Sequence, residues 1–218
     1  AVEAVCDTRQ DLGFDILDGM ASMVDKSLLQ FDEHGSGEPR YAMLETIREY
    51  ALEHLAGSGE EAPTRRAHAA YCLVLGEEGT AAGSTEVAAA EWLERFDVEH
   101  DNFRAALEWL TQSGNADWGM RLGAALFRFW EAREHLTEGR DRLSRLLQLS
   151  GASARTKERA RVLFSAGVLA GIQGDFAAAQ SLTRESLEIA RELQDHWNVA
   201  VSLNALAVHQ EAAADFAR

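Results

Sequence analysis

Residues 160–190 read ARVLFSAGVLAGIQGDFAAAQSLTRESLEIA, a stretch that predicts two helices packed closely against each other. The small residues Gly167 and Ala179 leave room for the backbones of two antiparallel helices to approach. Gly174 permits a tight turn between them, and Phe176 is expected to fill the space next to the neighbouring unit. The stretch therefore predicts a helical hairpin.

The same pattern returns with a 40-residue period. Apolar or small residues recur at this spacing in four columns: Phe96, Leu136, Phe176 and Phe216; Leu107, Leu147 and Leu187; Phe103 and Leu143; Leu126, Ala166 and Leu206. Constant spacing is the signature of stacked repeats. We predict one unit at about residues 120–149, a more divergent one at 92–110, and a last one that begins at Asn198 and is truncated.

The unit at residues 160–190 resembles a tetratricopeptide repeat through Ala166-Gly167, Gly174 and Ala179. Two departures stand beside the likeness. Ala170 occupies a position where that family usually has tyrosine, and the period exceeds the usual length of about 34 residues. Longer helices would account for the second difference. The resemblance implies a mainly α fold, a tetratricopeptide-like helical repeat array (α-α superhelix) over residues 61–218.

The N-terminal segment, 1–60, predicts a different arrangement, a helix, a β-hairpin and a second helix. Two short apolar runs, 27–31 and 40–44, flank a polar loop that contains Gly35, Gly37 and Pro39, which is typical of a hairpin. Apolar residues at helical spacing precede and follow it: Ile16, Leu17, Met20, Met23 and Val24; then Leu44, Ile47, Ala51 and Leu55. We predict a small winged-helix segment at 1–60, incomplete at its N-terminus.

Charge and composition narrow the function classes. The chain has 21 Lys and Arg against 36 Asp and Glu, a net charge of −15, and residues 1–62 alone hold 4 basic and 14 acidic side chains. This balance opposes non-specific attraction to nucleic acid or anionic lipid. The two cysteines are far apart, and neither a signal peptide nor a bilayer-length apolar run occurs. We therefore expect a cytoplasmic protein without a membrane partner.

Four blocks in order resemble a series found in bacterial STAND-class (NB-ARC-like) predicted-ATPase transcriptional regulators. They are VDKSLL at 24–29, RYAMLETIREYA at 40–51, RRAHAAY at 65–71 and EHDNFRAAL at 99–107. The resemblance implies a nucleotide-binding module before this segment, a winged helix that acts as an internal lock on it, and repeats that sense a ligand or partner. No GxxxxGK[ST] loop occurs in the sequence, so nothing is predicted to cradle a triphosphate.

No catalytic, cofactor or metal site is predicted. His54, His68 and His100 lack a second ligand at the third or fourth following position, so surface or structural roles are favoured for them. Ser144 and Ser165 lie in helical patterns without a GxSxG motif. We expect a protein that is not an enzyme.

Shifts by the 40-residue period select a candidate groove on the first helix of each unit. The candidate binding residues are Arg121, Arg128, Glu131, Arg161, Phe164, Asn204 and Glu211. A row of guanidinium groups suits a carboxylate, a phosphate or an acidic peptide. The alternative is that these arginines only pair with neighbouring glutamates on a solvated face.

The leading hypothesis is a non-catalytic sensor scaffold that binds a protein or small ligand in the repeat groove and relays it to an NTPase module outside this chain. The alternative is a direct DNA-binding regulator that uses the winged helix, although the acidity of residues 1–62 predicts no direct contact with nucleic acid.

Overall fold

A computed structural model describes residues 1–6, 13, 15–32, 40–82 and 86–216. It divides into two compact units, Ala1–Tyr71 and Cys72–Arg218. The division falls within one helix, α4 (Glu61–Ala82). Each unit is described by itself.

The first unit contains a helix, a hairpin and a second helix, as predicted. Its elements in order are α1 (Val2–Cys6), α2 (Ile16–Asp25), β1 (Gln30–Asp32), β2 (Arg40–Ala42) and α3 (Glu45–Ser58). The strands are antiparallel, with Phe31 opposite Tyr41. Of the predicted hairpin loop, 32–39, Asp32 is the last residue of β1, and 33–39 lie outside the described residues.

Local chemistry explains where these helices begin and end. The Asp15 carboxylate accepts the backbone N–H of Leu17 at 2.7 Å and of Asp18 at 3.3 Å, which satisfies two amides at the start of α2. Helix α3 ends at Ser58, because Gly59 adopts a left-handed φ of 79°.

The first unit has a thin core. Within its described residues, the buried apolar side chains are Met20, Leu29 and Ala69, and neither α1 nor α3 contains a buried residue. Large apolar side chains remain exposed instead: Val2, Leu17, Leu28, Phe31, Met43, Leu44 and Tyr50.

The second unit is a stack of helices. After the end of α4 come α5 (Glu86–Gln112), α6 (Ala116–Ala132), α7 (Leu136–Leu147), α8 (Lys157–Ile172), α9 (Phe176–Glu192) and α10 (His196–Phe216). Each helix from α5 onward packs on the next, and α6 contacts α8, which contacts α10. The fold is therefore mainly α, with consecutive helical hairpins side by side.

The turns before helices α6, α7, α9 and α10 are separated by 20 or 40 residues, that is, by half or all of the predicted period. Positive φ angles occur at positions 114, 134, 174 and 194. The next residue in each case is the one before a helix: Asn115, His135, Asp175 and Asp195. Asn115 and Asp175 cap their helices by accepting the backbone N–H of the residue three positions later, at 3.3 Å and 3.1 Å.

Burial follows the 40-residue period as well. Residues 131–140 and 171–180 have the same sequence of buried, half-buried and exposed positions, residue by residue. Leu136 and Phe176 are the first residues of α7 and α9, so they occupy equivalent places. The register predicted from the sequence is confirmed for these two units.

The divergent unit predicted at 92–110 is different, because this segment lies within one continuous helix. Phe96 is in the interior of α5 and not at a helix start. Arg95 holds the position equivalent to His135 and Asp175, which precede α7 and α9, but it lies inside α5. Phe216, the last member of that column, ends α10, and its side chain lies outside the described residues.

Candidate ligand-binding surface

The candidate groove residues lie on α6, α8 and α10, three helices that stand side by side. All are exposed or half-buried. Residues three apart on a helix share one side, which applies to Arg128 and Glu131 on α6 and to Arg161 and Phe164 on α8. We name this surface the first-helix face: Arg121, Arg128, Glu131, Arg161, Phe164, Asn204 and Glu211.

Arg121 has its charge compensated inside the fold. Its Nε lies 2.8 Å from Oε1 of Glu77, and its Nη2 lies 2.9 Å from Oε2 of the same carboxylate. Asp117 stands 4.0 Å from the guanidinium on the other side. A two-pronged pair of this kind holds both partners in place, so Arg121 ties α6 to α4.

Arg128 belongs to a continuous path between α6 and α8. Its side chain is 78% exposed and donates to Glu131 at 2.8 Å. Its guanidinium carbon lies 5.4 Å from the ring centre of Phe127, which in turn lies 6.0 Å from the ring of Phe164. A cation above an aromatic face is attracted to it, so Arg128 and Phe164 form one patch through Phe127.

Arg161 is the available cation of the first-helix face. It is exposed, and within the described residues it has no hydrogen bond or ion pair. Because it lies one turn before Phe164 on α8, its charge adjoins the patch formed by Arg128 and the two phenylalanines. Of the three arginines in the predicted strip, Arg128 and Arg161 can therefore bind an anion.

Most other arginines of the second unit pair across helices. We name these contacts the ion-pair ladder: Arg104–Glu138, Arg142–Glu108, Arg145–Glu108, Arg133–Asp97, Arg140–Asp175, Arg155–Glu192 and Arg159–Glu185. Hydrogen bonds from Arg145 are the main cause that lowers the pKa of Glu108 to about 2. The alternative predicted for the candidate arginines, pairing with neighbouring glutamates, describes Arg121 with Glu77 and Arg128 with Glu131.

A histidine pair between α5 and α7 was not singled out from the sequence as a pair. The rings of His100 and His135 are 4.6 Å apart, and Nε2 of His100 lies 3.3 Å from Oε2 of Glu138 without the alignment of a hydrogen bond. Burial lowers the pKa of His100, and Glu138 opposes that effect. His100 and His135 are 35 positions apart, a spacing within the range of most pairs in the ion-pair ladder. That spacing could have predicted their contact from the sequence.

Other candidate chemistry is limited in the part of the chain that the structure describes. No group of three or more His, Cys, Asp or Glu side chains there could hold a metal ion. Cys72 is buried, and burial raises the pKa of its thiol to about 12, with a further contribution from Glu99. Its thiol is therefore protonated at neutral pH and unsuited to nucleophilic attack. None of the described helices is both long and apolar enough to cross a bilayer.

The helix, hairpin and helix of the first unit agree with a comparison to known families. Residues 1–56 match the winged helix-turn-helix domain. Over 206 residues the chain is 32% identical to proteins named "Putative HTH-type transcriptional regulator" from Mycobacterium bovis and from two strains of Mycobacterium tuberculosis. The alignment covers 89% of this chain and 22% of each relative, so the chain spans about a fifth of the length of the curated relatives it matches. No solved structure matches.

The winged helix-turn-helix segment is poor in available cations. Its described basic residues are Lys26, Arg40 and Arg48. Arg48 pairs with Glu45 at 3.1 Å, and Arg40 also has a partner within the fold. Residues 1–62 hold 14 acidic side chains, and the described part of this segment has no basic stripe of the kind by which duplex DNA is usually held.

Proposed function

We propose that this chain is the winged-helix and helical-repeat part of a transcriptional regulator, in which tetratricopeptide-like repeats act as a non-catalytic sensor scaffold. In this proposal the first-helix face binds a protein or small ligand, and the winged helix relays binding to a STAND-class NTPase module outside this chain. The observation that carries it is a pair of exposed arginines, Arg128 and Arg161, beside the half-buried ring of Phe164 on stacked hairpins that adjoin, along the chain, an acidic winged helix. We place this activity in the cytoplasm.

The patch favours an anionic ligand. Arg161 has no partner within the described residues, and Arg128 can exchange its exposed bond to Glu131 for a ligand carboxylate or phosphate, since exposed pairs contribute little. Phe164 adds an apolar surface beside both cations. An acidic peptide or a small molecule with a carboxylate or phosphate group and an apolar portion fits this combination.

A thermal-shift screen of such compounds tests the proposal. A compound present at 100 times its Kd should stabilise the folded chain by about 2.7 kcal/mol. Affinity should fall at least tenfold in Arg128→Ala and in Arg161→Ala, because each removes a charged hydrogen-bond donor.

Arg191→Ala is the matched control, because Arg191 is exposed in the last turn of α9 and lies off the first-helix face. Equal loss of affinity in all three variants, or none in the two face variants, would contradict a ligand site at Arg128 and Arg161.

The non-catalytic part of the proposal rests on the missing phosphate loop. Without the backbone amides and lysine of that loop, ATP has no cradle in these 218 residues. Isothermal titration of the chain with ATP and Mg²⁺ should give no micromolar binding, and micromolar affinity would reject this assignment.

The alternative is direct DNA binding, which the match of residues 1–56 to a winged helix-turn-helix domain favours. Charge opposes it. Fluorescence anisotropy with a labelled duplex at about 50 mM and about 200 mM salt should show no saturable binding. Binding that weakens steeply between these salt concentrations would replace the scaffold proposal with a DNA-contacting one.

A further inference from the structure

One contact of the ion-pair ladder has a different chemistry one period earlier. Arg140 on α7 pairs with Asp175, the residue before α9. The positions 40 residues earlier hold His100 on α5 and His135, the residue before α7. The centres of the two histidine rings lie 4.6 Å apart. Two titratable bases therefore stand where the next repeat has a cation and an anion.

His100 is buried with one ring nitrogen unpaired. Its side chain is 13% exposed, and Nε2 has no hydrogen-bond partner within the described residues. Oε2 of Glu138 lies 3.3 Å from Nε2. That carboxylate is already neutralised, because Arg104 donates to both of its oxygens, at 2.7 Å and 2.6 Å. A proton on His100 would therefore gain little from Glu138 and would lose the hydration that it has in water.

The other surroundings of His100 do not compensate for a positive charge. Charged or titratable groups face it from α5 and from the start of α7: Asp101, Arg104, His135 and Glu138. Asp101 is 93% exposed, so water screens its charge. Helix α6 presents the uncharged ring of Phe129, 5.0 Å from His100 and 5.6 Å from His135. Protonation of both histidines would thus place two cations side by side.

Two further charged residues lie close to the histidines along the chain. They are Asp97 on α5 and Arg133 before α7, and they pair with each other at 2.6 Å. Because each compensates the other, neither is available to stabilise a histidinium at this contact.

The sign of the pH response follows from burial. Burial lowers the pKa of His100, so the closed contact keeps its ring neutral, whereas a histidine exposed to water binds a proton below about pH 6.5. Opening takes up a proton below that pH, so acid favours the open contact. The Arg140–Asp175 contact lacks this response, because hydrogen bonds from Arg140 lower the pKa of Asp175 and both groups stay charged.

We propose that the contact between His100 and His135 is a proton-sensitive switch, which holds the start of α7 against α5 at neutral pH and releases it below about pH 6. The switch uses no residue of the first-helix face and requires no ligand there.

The test gives this contact the residues of the next repeat. In a double variant, His100→Arg is combined with His135→Asp. Hydrogen–deuterium exchange of the full chain and of the variant is measured at pH 7.5 and pH 5.5, and protection is corrected for the intrinsic exchange rate at each pH. His209 is present in both proteins, so its own titration does not distinguish them.

In the original chain, protection of residues 97–104 and 133–139 should fall at least about fivefold between pH 7.5 and pH 5.5. In the double variant it should change less than about twofold, because an arginine and an aspartate keep their charges over this range. His100→Phe should also remove most of the response, since an uncharged ring fills the same space. This single variant decides the question if the double variant loses helicity at pH 7.5.

Protection that does not fall with pH in the original chain overturns the proposal. An equal fall in the original chain and in the variants would place the acid-sensitive group elsewhere and would overturn it as well.

Discussion

Three polar residues distinguish the contacts among α8, α9 and α10 from the equivalent contacts among α6, α7 and α8. Leu143, Leu146 and Leu169 correspond, 40 positions later, to Thr183, Ser186 and His209, and all six are buried. Thr183 Oγ1 and His209 Nε2 have no hydrogen-bond partner within the described residues. An unpaired buried polar group costs stability, so Thr183 weakens the contact between α9 and α8, and His209 weakens the contact between α10 and α8.

His209 makes the stability of the contact between α10 and α8 sensitive to acid. Burial lowers its pKa below the usual 6.5, so the folded chain keeps the ring neutral while the unfolded chain binds a proton below about pH 6.5. Titration of His209 therefore leaves the free energy of unfolding unchanged above that pH and lowers it as the pH falls below that value. His209→Leu should raise the free energy of unfolding at pH 7.5 by about 1 kcal/mol and by more at pH 5.

Urea denaturation of the original chain and of His209→Leu at pH 7.5 and pH 5 measures the difference between their free energies of unfolding. Carboxylates titrate equally in the two chains, so their effect cancels in this difference. A gap between the proteins that does not widen at pH 5 would contradict a neutral, buried His209.

At the scale of elements, close approach of α8 and α9 depends on Gly167. A Cβ there would lie 2.5 Å from Oγ1 of Thr183 and 3.3 Å from its backbone nitrogen. Backbone cannot move away cheaply, so Gly167→Ala should lower the free energy of unfolding by about 1–3 kcal/mol despite the better helix propensity of alanine.

Gly57→Ala is the control for helix propensity, because an added Cβ at Gly57 in α3 meets no atom within 4 Å. It should stabilise by up to about 1 kcal/mol, as followed by circular dichroism during denaturation. Equal effects of the two substitutions would mean that α8 and α9 do not pack through Gly167.

Sequence alone predicted the elements whose cause is local or periodic. Small residues and turn formers placed the hairpin at 160–190, and apolar spacing placed α2, the β-strands and α3. Periodicity did not predict that α5 would continue through Arg95, although the equivalent residues His135 and Asp175 each precede a new helix. For the first-helix face, spacing predicted the positions, but it could not tell that Arg121 meets Glu77 on a distant helix, whereas Arg161 meets no carboxylate within the described residues.

At the scale of the whole molecule, the two units differ in how much apolar surface they bury. Helices α1 and α3 have no buried residue, whereas α8 has eight. Since hydrophobic burial supplies most of the stabilisation, local opening should be far easier in the first unit.

Hydrogen–deuterium exchange should therefore show α3 exchanging at least tenfold faster than α8 at pH 7. Leu163→Ala, which opens a cavity in the cluster formed with Ala160 and Ile189, should accelerate exchange in α8 and α9 and leave α3 unchanged. Uniform protection along the chain would contradict unequal stability of the two units.

The ion-pair ladder prevents one 40-residue repeat from replacing its neighbour, even though the turns of the two repeats are equivalent. Excision of residues 134–173 would keep a turn and a capping aspartate, and α9 would follow α6 directly. Glu108 would then meet Leu182 and Glu185 in place of Arg142 and Arg145, and Arg104 would meet Ala178 in place of Glu138. A shortened array would thus exchange attraction for repulsion, so shuffling of these modules requires matched changes of charge on both sides of the new junction.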